Sequence, residues 1–196
     1  MTSHALIAIV GSIGIVVLAF VGHVPTYRVA PTFLLPLLWL VYFIRQRLHL
    51  HPVHYAFFAI ALLLHMLGTF GFYQRSFLTL SFDIYVHFYF AIPVALILER
   101  WLRKSLLPGR VWWPRVAALM FMMGLGALHE IMEYGTYLLL GEERGMLKPS
   151  TSYPFDTQRD LMNNLFGSLT ALTVGAIVHA VRRSHRHPPP QRMGEP

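Results

Sequence analysis

Residues 5–21 read ALIAIVGSIGIVVLAFV, a run in which Ser12 is the one polar side chain. Neither a period-2 alternation nor a polar helical face interrupts it, so a half-buried strand and an amphipathic surface helix both fail to fit. A bilayer core asks for about 20 apolar residues per helix, and this run nearly supplies them. Working outward, the same character returns at about 30–44, 54–73, 82–99, 115–140 and 157–181. The pattern predicts an all-α fold: a polytopic integral membrane helical bundle of six transmembrane helices. The second span is short and carries Pro31 and Pro36, which favours a tilt, a kink or shallow packing.

Composition points the same way. Of the 196 residues, 55% are hydrophobic and 13% charged, where an ordinary soluble protein carries about 25% charged residues. A soluble fold of this size needs charge on its surface, and a bilayer requires the reverse. Lysine and arginine outnumber aspartate and glutamate 16 to 9, but they fall in short clusters between apolar runs. That distribution is a topology signal, not a nucleic-acid-binding face. There are no cysteines, so disulfides, thiolate metal ligands, iron–sulfur clusters and thiol nucleophiles are excluded.

Counting basic residues by loop sets the expected orientation. One set of loops holds Arg45 and Arg47; Arg100, Arg103, Lys104, Arg110 and Arg115; and Arg182, Arg183, Arg186 and Arg192. The opposite set holds Arg28, Arg75, Arg144, Lys148 and Arg159. The richer side is expected to be cytoplasmic, with both termini there. Residues 1–4 carry no lysine or arginine and no small-x-small pattern follows the first run, so it reads as a retained span and not as a cleaved signal. Residues 1–183 are expected to form one transmembrane domain, and 184–196 a basic, Pro-rich, disordered cytoplasmic tail. The outer loop 141–155, with its glycines and prolines, cannot be a long helix.

Five of the nine acids lie within or beside the outer halves of spans: Asp83, Glu130, Glu133, Asp156 and Asp160. A carboxylate in hydrocarbon costs on the order of 3 kcal/mol, so these groups should face the bundle interior. Asp83 and His87 are four apart, as are His129 and Glu133, and Asp156 and Asp160; residues so spaced share a helix face. With the expected topology, all of them fall in the outer halves of spans four, five and six, and His65 in the outer half of span three. A polar layer of this kind has three physical solutions. It can hold a divalent cation on mixed carboxylate and imidazole ligands, which suits zinc, manganese or iron. It can be a set of mutually neutralising pairs, as structural glue or a proton path. Or it can receive a polar headgroup, with Arg159 or Lys148 meeting a phosphate.

The residues themselves bear a resemblance. Asp83-x-x-x-His87-Phe88, His129-Glu130-x-x-Glu133 and Phe155-Asp156-Thr157-x-x-Asp160 are similar to motifs of the YjdF-type inner-membrane proteins, over roughly residues 54–181. In that family a tryptophan commonly stands where this chain has Phe155. The block Asp160-x-x-Asn163-Asn164-x-x-Gly167 is also similar to VanZ-like membrane proteins. The resemblance implies a bacterial cytoplasmic-membrane location and no established activity.

Metal ligands are therefore expected among Asp83, His87, His129, Glu130, Glu133, Asp156 and Asp160, with catalytic roles for Glu130, Glu133 and Asp160, and supporting roles for His65, Asn163 and Arg159. A metal there would lower the pKa of water toward neutrality and a spare carboxylate would accept the proton. The resulting expectation is a metal-dependent hydrolase of a lipid or lipid-linked substrate. A non-enzymatic ion or headgroup binder or transporter, or a structural polar network, is the alternative. Plainer roles compete: Asp83 and Asp156 as helix caps, and Asn163 and Asn164 with Gly167 as close packing. His23, His49, His51, His54, His179, His185 and His187 fall at span ends or in loops and stand outside the expected site.

Overall fold

The computed structural model describes residues 1–24, 30–140 and 155–186. Arg28, Arg144, Lys148, most of the loop 141–155 and residues 187–196 of the tail lie outside the described residues. Six α-helices are described: α1 (Ser3–Val21), α2 (Pro31–Phe43), α3 (Pro52–Met66), α4 (Phe82–Trp101), α5 (Trp113–Leu140) and α6 (Asp156–Arg186). Five of these regions are long and apolar enough to cross a membrane; α2 is the short exception. At 13 residues it spans about 20 Å at the α-helical rise. The last helix runs to Arg186, past Ser184 where the tail was expected to begin.

Surface and interior are exchanged relative to a soluble protein. Large apolar side chains such as Val10, Phe20, Met120, Ile131, Phe166 and Ile177 are exposed, while Glu130, Asp160, Asn164 and Ser168 are buried. A contiguous apolar exterior of this extent requires lipid around it. The chain is a membrane helical bundle.

Local chemistry sets the helix ends. Thr2 caps α1 by accepting the Ala5 N–H at 3.3 Å, and Pro31 and Pro52 open α2 and α3, where a missing N–H costs nothing. Helix α1 stops at Gly22 because Thr69 crowds it: a Cβ there would lie 2.2 Å from the Thr69 Cβ. The Thr69 hydroxyl in turn donates to the Met66 and Leu18 carbonyls at 2.7 and 3.2 Å. The expected third span, 54–73, is therefore α-helical only to Met66. It continues as tighter turns, Leu67–Phe70 and Phe72–Gln74, around left-handed Gly71 at φ 76°.

One element was not expected. Ser76–Phe77 and Leu80–Ser81 pair as a short antiparallel hairpin, with Ser76 opposite Ser81 and Phe77 opposite Leu80. Its two central residues, Leu78 and Thr79, both take positive φ, 48° and 70°. That is the backbone of a tight two-residue hairpin turn, normally signalled by Asn-Gly or Asp-Gly. The sequence carries no such signal here.

Helix directions follow from contacts. Phe88 and Ala91 meet Gly167, and Leu96 meets Gly175, so α4 and α6 run parallel. A Cβ on Gly167 would lie 2.1 Å from the Phe88 carbonyl oxygen, so the two backbones touch there. Helix α5 runs against both, with His129 beside His87 at one end and Phe121 beside Trp101 at the other. Helices α1, α2 and α3 form a second group around Leu34, Leu38, Tyr55 and Leu62. The Tyr55 hydroxyl bonds the Leu38 carbonyl at 2.9 Å, and the Trp39 indole bonds Ser12 at 3.0 Å.

Candidate metal centre

The close crossing at Gly167 decides what meets two turns above it. Asp160 is seven residues before Gly167 on α6, and His87 and Asp83 precede Phe88 on α4, so parallel packing brings the three together. One ligand atom from each of Asp83, His87 and Asp160 lies within 4.8 Å of the others. His87 Nε2 stands 3.5 Å from Asp83 Oδ1 and 3.8 Å from Asp160 Oδ2.

Those distances carry information. Hydrogen bonds of this type close to about 2.7–3.2 Å, so the imidazole is bonded to neither carboxylate. Two ligands of one tetrahedral ion, with bonds of about 2.1 Å, stand about 3.4 Å apart. The gaps match a shared cation better than a shared proton. Asp160 is 2% exposed, and its Oδ1 is buried with no hydrogen-bond partner; Glu130, 8% exposed, leaves Oε1 in the same condition. Buried carboxylate oxygens without donors are costly unless a cation is nearby.

Arg159 borders the same cluster. Its guanidinium lies 2.5 Å from Asp156, 3.8 Å from Asp83 and 4.0 Å from Asp160. Asp156 is thus joined to the triad through Arg159 and does not enter it. With all three carboxyls ionised, one guanidinium would leave two negative charges over, the amount a divalent cation would neutralise. The donor set, carboxylate oxygen and imidazole nitrogen, suits zinc, manganese or iron. The residues fit such an ion, with shifts of the side chains by less than about 1 Å to reach bonds near 2.1 Å.

The other expected residues stand around this centre in graded positions. His129 pairs with Glu133 at 3.2 Å, and its ring centroid is 5.7 Å from that of His87. Glu130 lies by Thr157 at the start of α6. His65 is fixed through Nδ1 by the Tyr73 hydroxyl at 2.7 Å, with Nε2 buried and unpartnered. Asn163 turns away from the triad and donates to the Arg159 carbonyl at 2.9 Å. Its neighbour Asn164, 2% exposed, lies within side-chain hydrogen-bonding reach of His87. Asn164 is also held close to α5: a Cβ on Gly126 would lie 2.7 Å from its amide nitrogen.

In the sequence Asn163 is the asparagine expected to support the site, while Asn164 stands in the VanZ-like block and as a candidate for close packing. One residue is about 100° of helix rotation, and only contact with α4 and α5 says which of two adjacent asparagines faces the centre. Thr157 stands in the Phe155-Asp156-Thr157 motif without a role of its own there, and nothing in the sequence ties Tyr73 to His65, which it orients. The cap reading of Asp83 is displaced as well. Ser81 occupies the N-cap of α4, and Asp83 lies in the first turn with its carboxyl turned to His87 and Arg159.

Neither the curated proteins nor the solved structures include a match to this chain. Residues 3–181, nearly all of the described bundle and its polar centre, match one family, and the chain belongs to it: the predicted membrane protein family DUF2238.

Proposed function

We propose that the chain is a multi-pass protein of a bacterial cytoplasmic membrane that holds one divalent cation on Asp83, His87 and Asp160. We further propose that it uses the ion to hydrolyse a lipid or lipid-linked substrate. The observation that carries this reading is the pair of 3.5 and 3.8 Å gaps around His87 Nε2, too long for hydrogen bonds and near the spacing of two ligands on one ion. The buried, unpartnered Asp160 Oδ1 supports it. In this reading the basic loops are cytoplasmic, α2 completes a sixth crossing, residues 1–183 form one domain and the centre lies toward the outer leaflet. The motif resemblance to YjdF-type and VanZ-like proteins agrees with that placement.

A bound divalent cation supplies Lewis acidity and makes hydroxide accessible at neutral pH. The chain's own groups do the rest. Glu133 holds His129 within 3.2 Å, one ring away from His87, and this pair accepts and returns the proton. Glu130, with an unpartnered oxygen facing the interior, is a second acceptor. Asn164, within side-chain hydrogen-bonding reach of His87, orients that imidazole, and His65 stands behind it, itself fixed by Tyr73. Arg159, 27% exposed at the edge of the cluster, faces the arriving substrate, and the exposed apolar surface admits that substrate laterally from the lipid.

A second reading has its own observation. Arg159 approaches three carboxylates, and with the histidines it would form a polar network that is structural, or that binds an ion or headgroup without chemistry. Elemental analysis of detergent-purified protein separates the two. About one zinc, manganese or iron per chain, lost in Asp160→Asn, is the expected result. A metal-free preparation, together with Glu133→Gln as stable as the unaltered protein, would sink the hydrolase.

A further inference from the structure

The opposite end of the bundle carries a second feature, independent of the metal centre. The connections α2–α3 and α4–α5 bring together Arg45, Arg47, Arg100, Arg103, Lys104, Arg110 and Arg115 against one acid, Glu99. Most of this excess is an ordinary orientation signal, solvated at the membrane surface. Arg100 differs from the rest in three ways.

Its Nε–H donates to the carbonyl of His49 in a close contact between the last turn of α4 and the turn before α3. His49 adopts a left-handed backbone, φ 49°, which turns that carbonyl toward α4; a non-glycine residue accepts that conformation only where its surroundings impose it. The guanidinium is thus fixed in place. It also lacks an acid: Glu99 turns to Arg103 at 3.2 Å, and no carboxylate among the described residues comes within ion-pairing distance of Arg100. Finally, an imidazole pair adjoins it through His54. The His51 and His54 rings are 5.7 Å apart, His54 lies within electrostatic range of both His51 and Arg100, and its Nδ1 is buried with no hydrogen-bond partner.

We propose that Arg100, His51 and His54 bind the phosphate of an anionic phospholipid. A guanidinium held along one edge leaves its other N–H groups for a tetrahedral anion. The half-buried His54 ring, whose Nδ1 has no partner, completes its hydrogen bonding through a phosphate oxygen. Basic pockets between membrane helices commonly take such headgroups. The apolar surface next to the pocket argues for a lipid over a soluble anion. Val53, Phe57 and Ile60 are 49%, 40% and 43% exposed; spaced four and three apart, they form one stripe leading up α3 from the histidines, on which an acyl chain can lie. The lipid would pin α3 to α4 at the end remote from the polar centre.

Native mass spectrometry of the delipidated full chain, titrated with phosphatidylglycerol, phosphatidylcholine or inorganic phosphate, tests this. The expected result is one phosphatidylglycerol bound at concentrations at least tenfold below phosphatidylcholine, undisturbed by millimolar phosphate. Arg100→Gln reduces that preference to threefold or less. Arg110→Gln, which removes the same charge from an exposed position nearby, keeps it. A thermal melt in phosphatidylcholine checks that each variant is folded; if Arg100→Gln is not, His54→Gln takes its place, with at least a threefold loss expected. Equal retention of the two lipids overturns the proposal, as does a preference unchanged in both Arg100→Gln and His54→Gln. Displacement by inorganic phosphate assigns the pocket to a soluble anion and overturns the lipid.

Discussion

At one end of the bundle five acids gather, three of them against Arg159; at the other, seven basic residues spread outward against Glu99. The two ends handle charge by different physics. The basic residues keep to the rim, where backbone carbonyls and rings suffice: Arg45 donates to the Tyr42 carbonyl at 2.9 Å and lies 4.2 Å from that ring, and Arg115 lies 5.3 Å from the Trp112 ring. The acids converge from α4, α5 and α6 into a site where water cannot screen them, so the protein itself must provide compensation. Arg159 and the imidazoles do so only in part. The difference shows why the two ends invite different partners: the proposed cation would meet the uncompensated acids, and the proposed headgroup the bases at the rim.

The largest effect should come from the crossing that builds the acid end. Gly167→Val places a branched side chain where even a Cβ meets the Phe88 carbonyl at 2.1 Å. Backbone cannot yield as a flexible side chain does, so we expect a loss of about 3 kcal/mol, at the upper end of overpacking costs, and failure of the metal centre to assemble. Gly124→Ala on α5, with nothing within 4 Å of the added Cβ, should be neutral or stabilising by up to about 1 kcal/mol through helix propensity. Thermal unfolding in detergent, followed by circular dichroism, compares the two. Equal melting temperatures would falsify the close crossing.

Next in size is Asp160→Asn, which keeps the shape of a side chain only 2% exposed but removes its charge. Metal content should fall at least tenfold. Added metal should stop raising the melting temperature, whereas at a hundred times the dissociation constant it should stabilise the unaltered protein by about 2.7 kcal/mol. A variant that keeps its metal would show that the ion, if any, is held elsewhere.

Arg159→Gln probes the same centre in the opposite sense. The guanidinium reaches Asp83 and Asp160, two of the three proposed ligands, at 3.8 and 4.0 Å, so it would compete with an ion for them. Its removal should tighten metal binding several-fold, about 1 kcal/mol on the scale where tenfold is 1.4. Titration calorimetry with the chosen metal reads this directly. Weaker binding in Arg159→Gln would instead make the arginine a support of the site.

How much of this could be read from the chain follows from the same contrast. Apolar runs and the lopsided basic loops are properties of single segments, so the membrane bundle was legible without contacts. The i, i+4 spacings of Asp83 with His87 and of His129 with Glu133 fixed helix faces, again a local property. Which faces meet was not local. Gly167 against Phe88 sets the register of α6 on α4, and with it the choice of Asp160 over Asp156 as the triad's third member and of Asn164 over Asn163 beside His87. The hairpin at Leu78 and Thr79 was hidden for another reason: neither residue favours the positive φ it adopts, so no residue type announced the turn.

The smallest effect belongs to the basic end, and there its smallness is the test. Glu99 and Arg103 form an i, i+4 pair at 3.2 Å, with side chains 14% and 34% exposed. The acid precedes the base along the helix, the favourable order, yet Arg103 Nε makes no well-aligned hydrogen bond. Pairs of this kind are worth about 0.3–0.5 kcal/mol and are screened by salt. Glu99→Gln should therefore shift stability by no more than about 0.5 kcal/mol, with less of a shift in high salt, because the Arg103 side chain left without its acid is 34% exposed and stays hydrated. Chemical or thermal unfolding at two ionic strengths is sufficient to measure it. A loss rivalling that of Asp160→Asn would mean that charges at the basic rim are held as tightly as those in the interior, and the contrast between the two ends would no longer locate where the protein needs a cation.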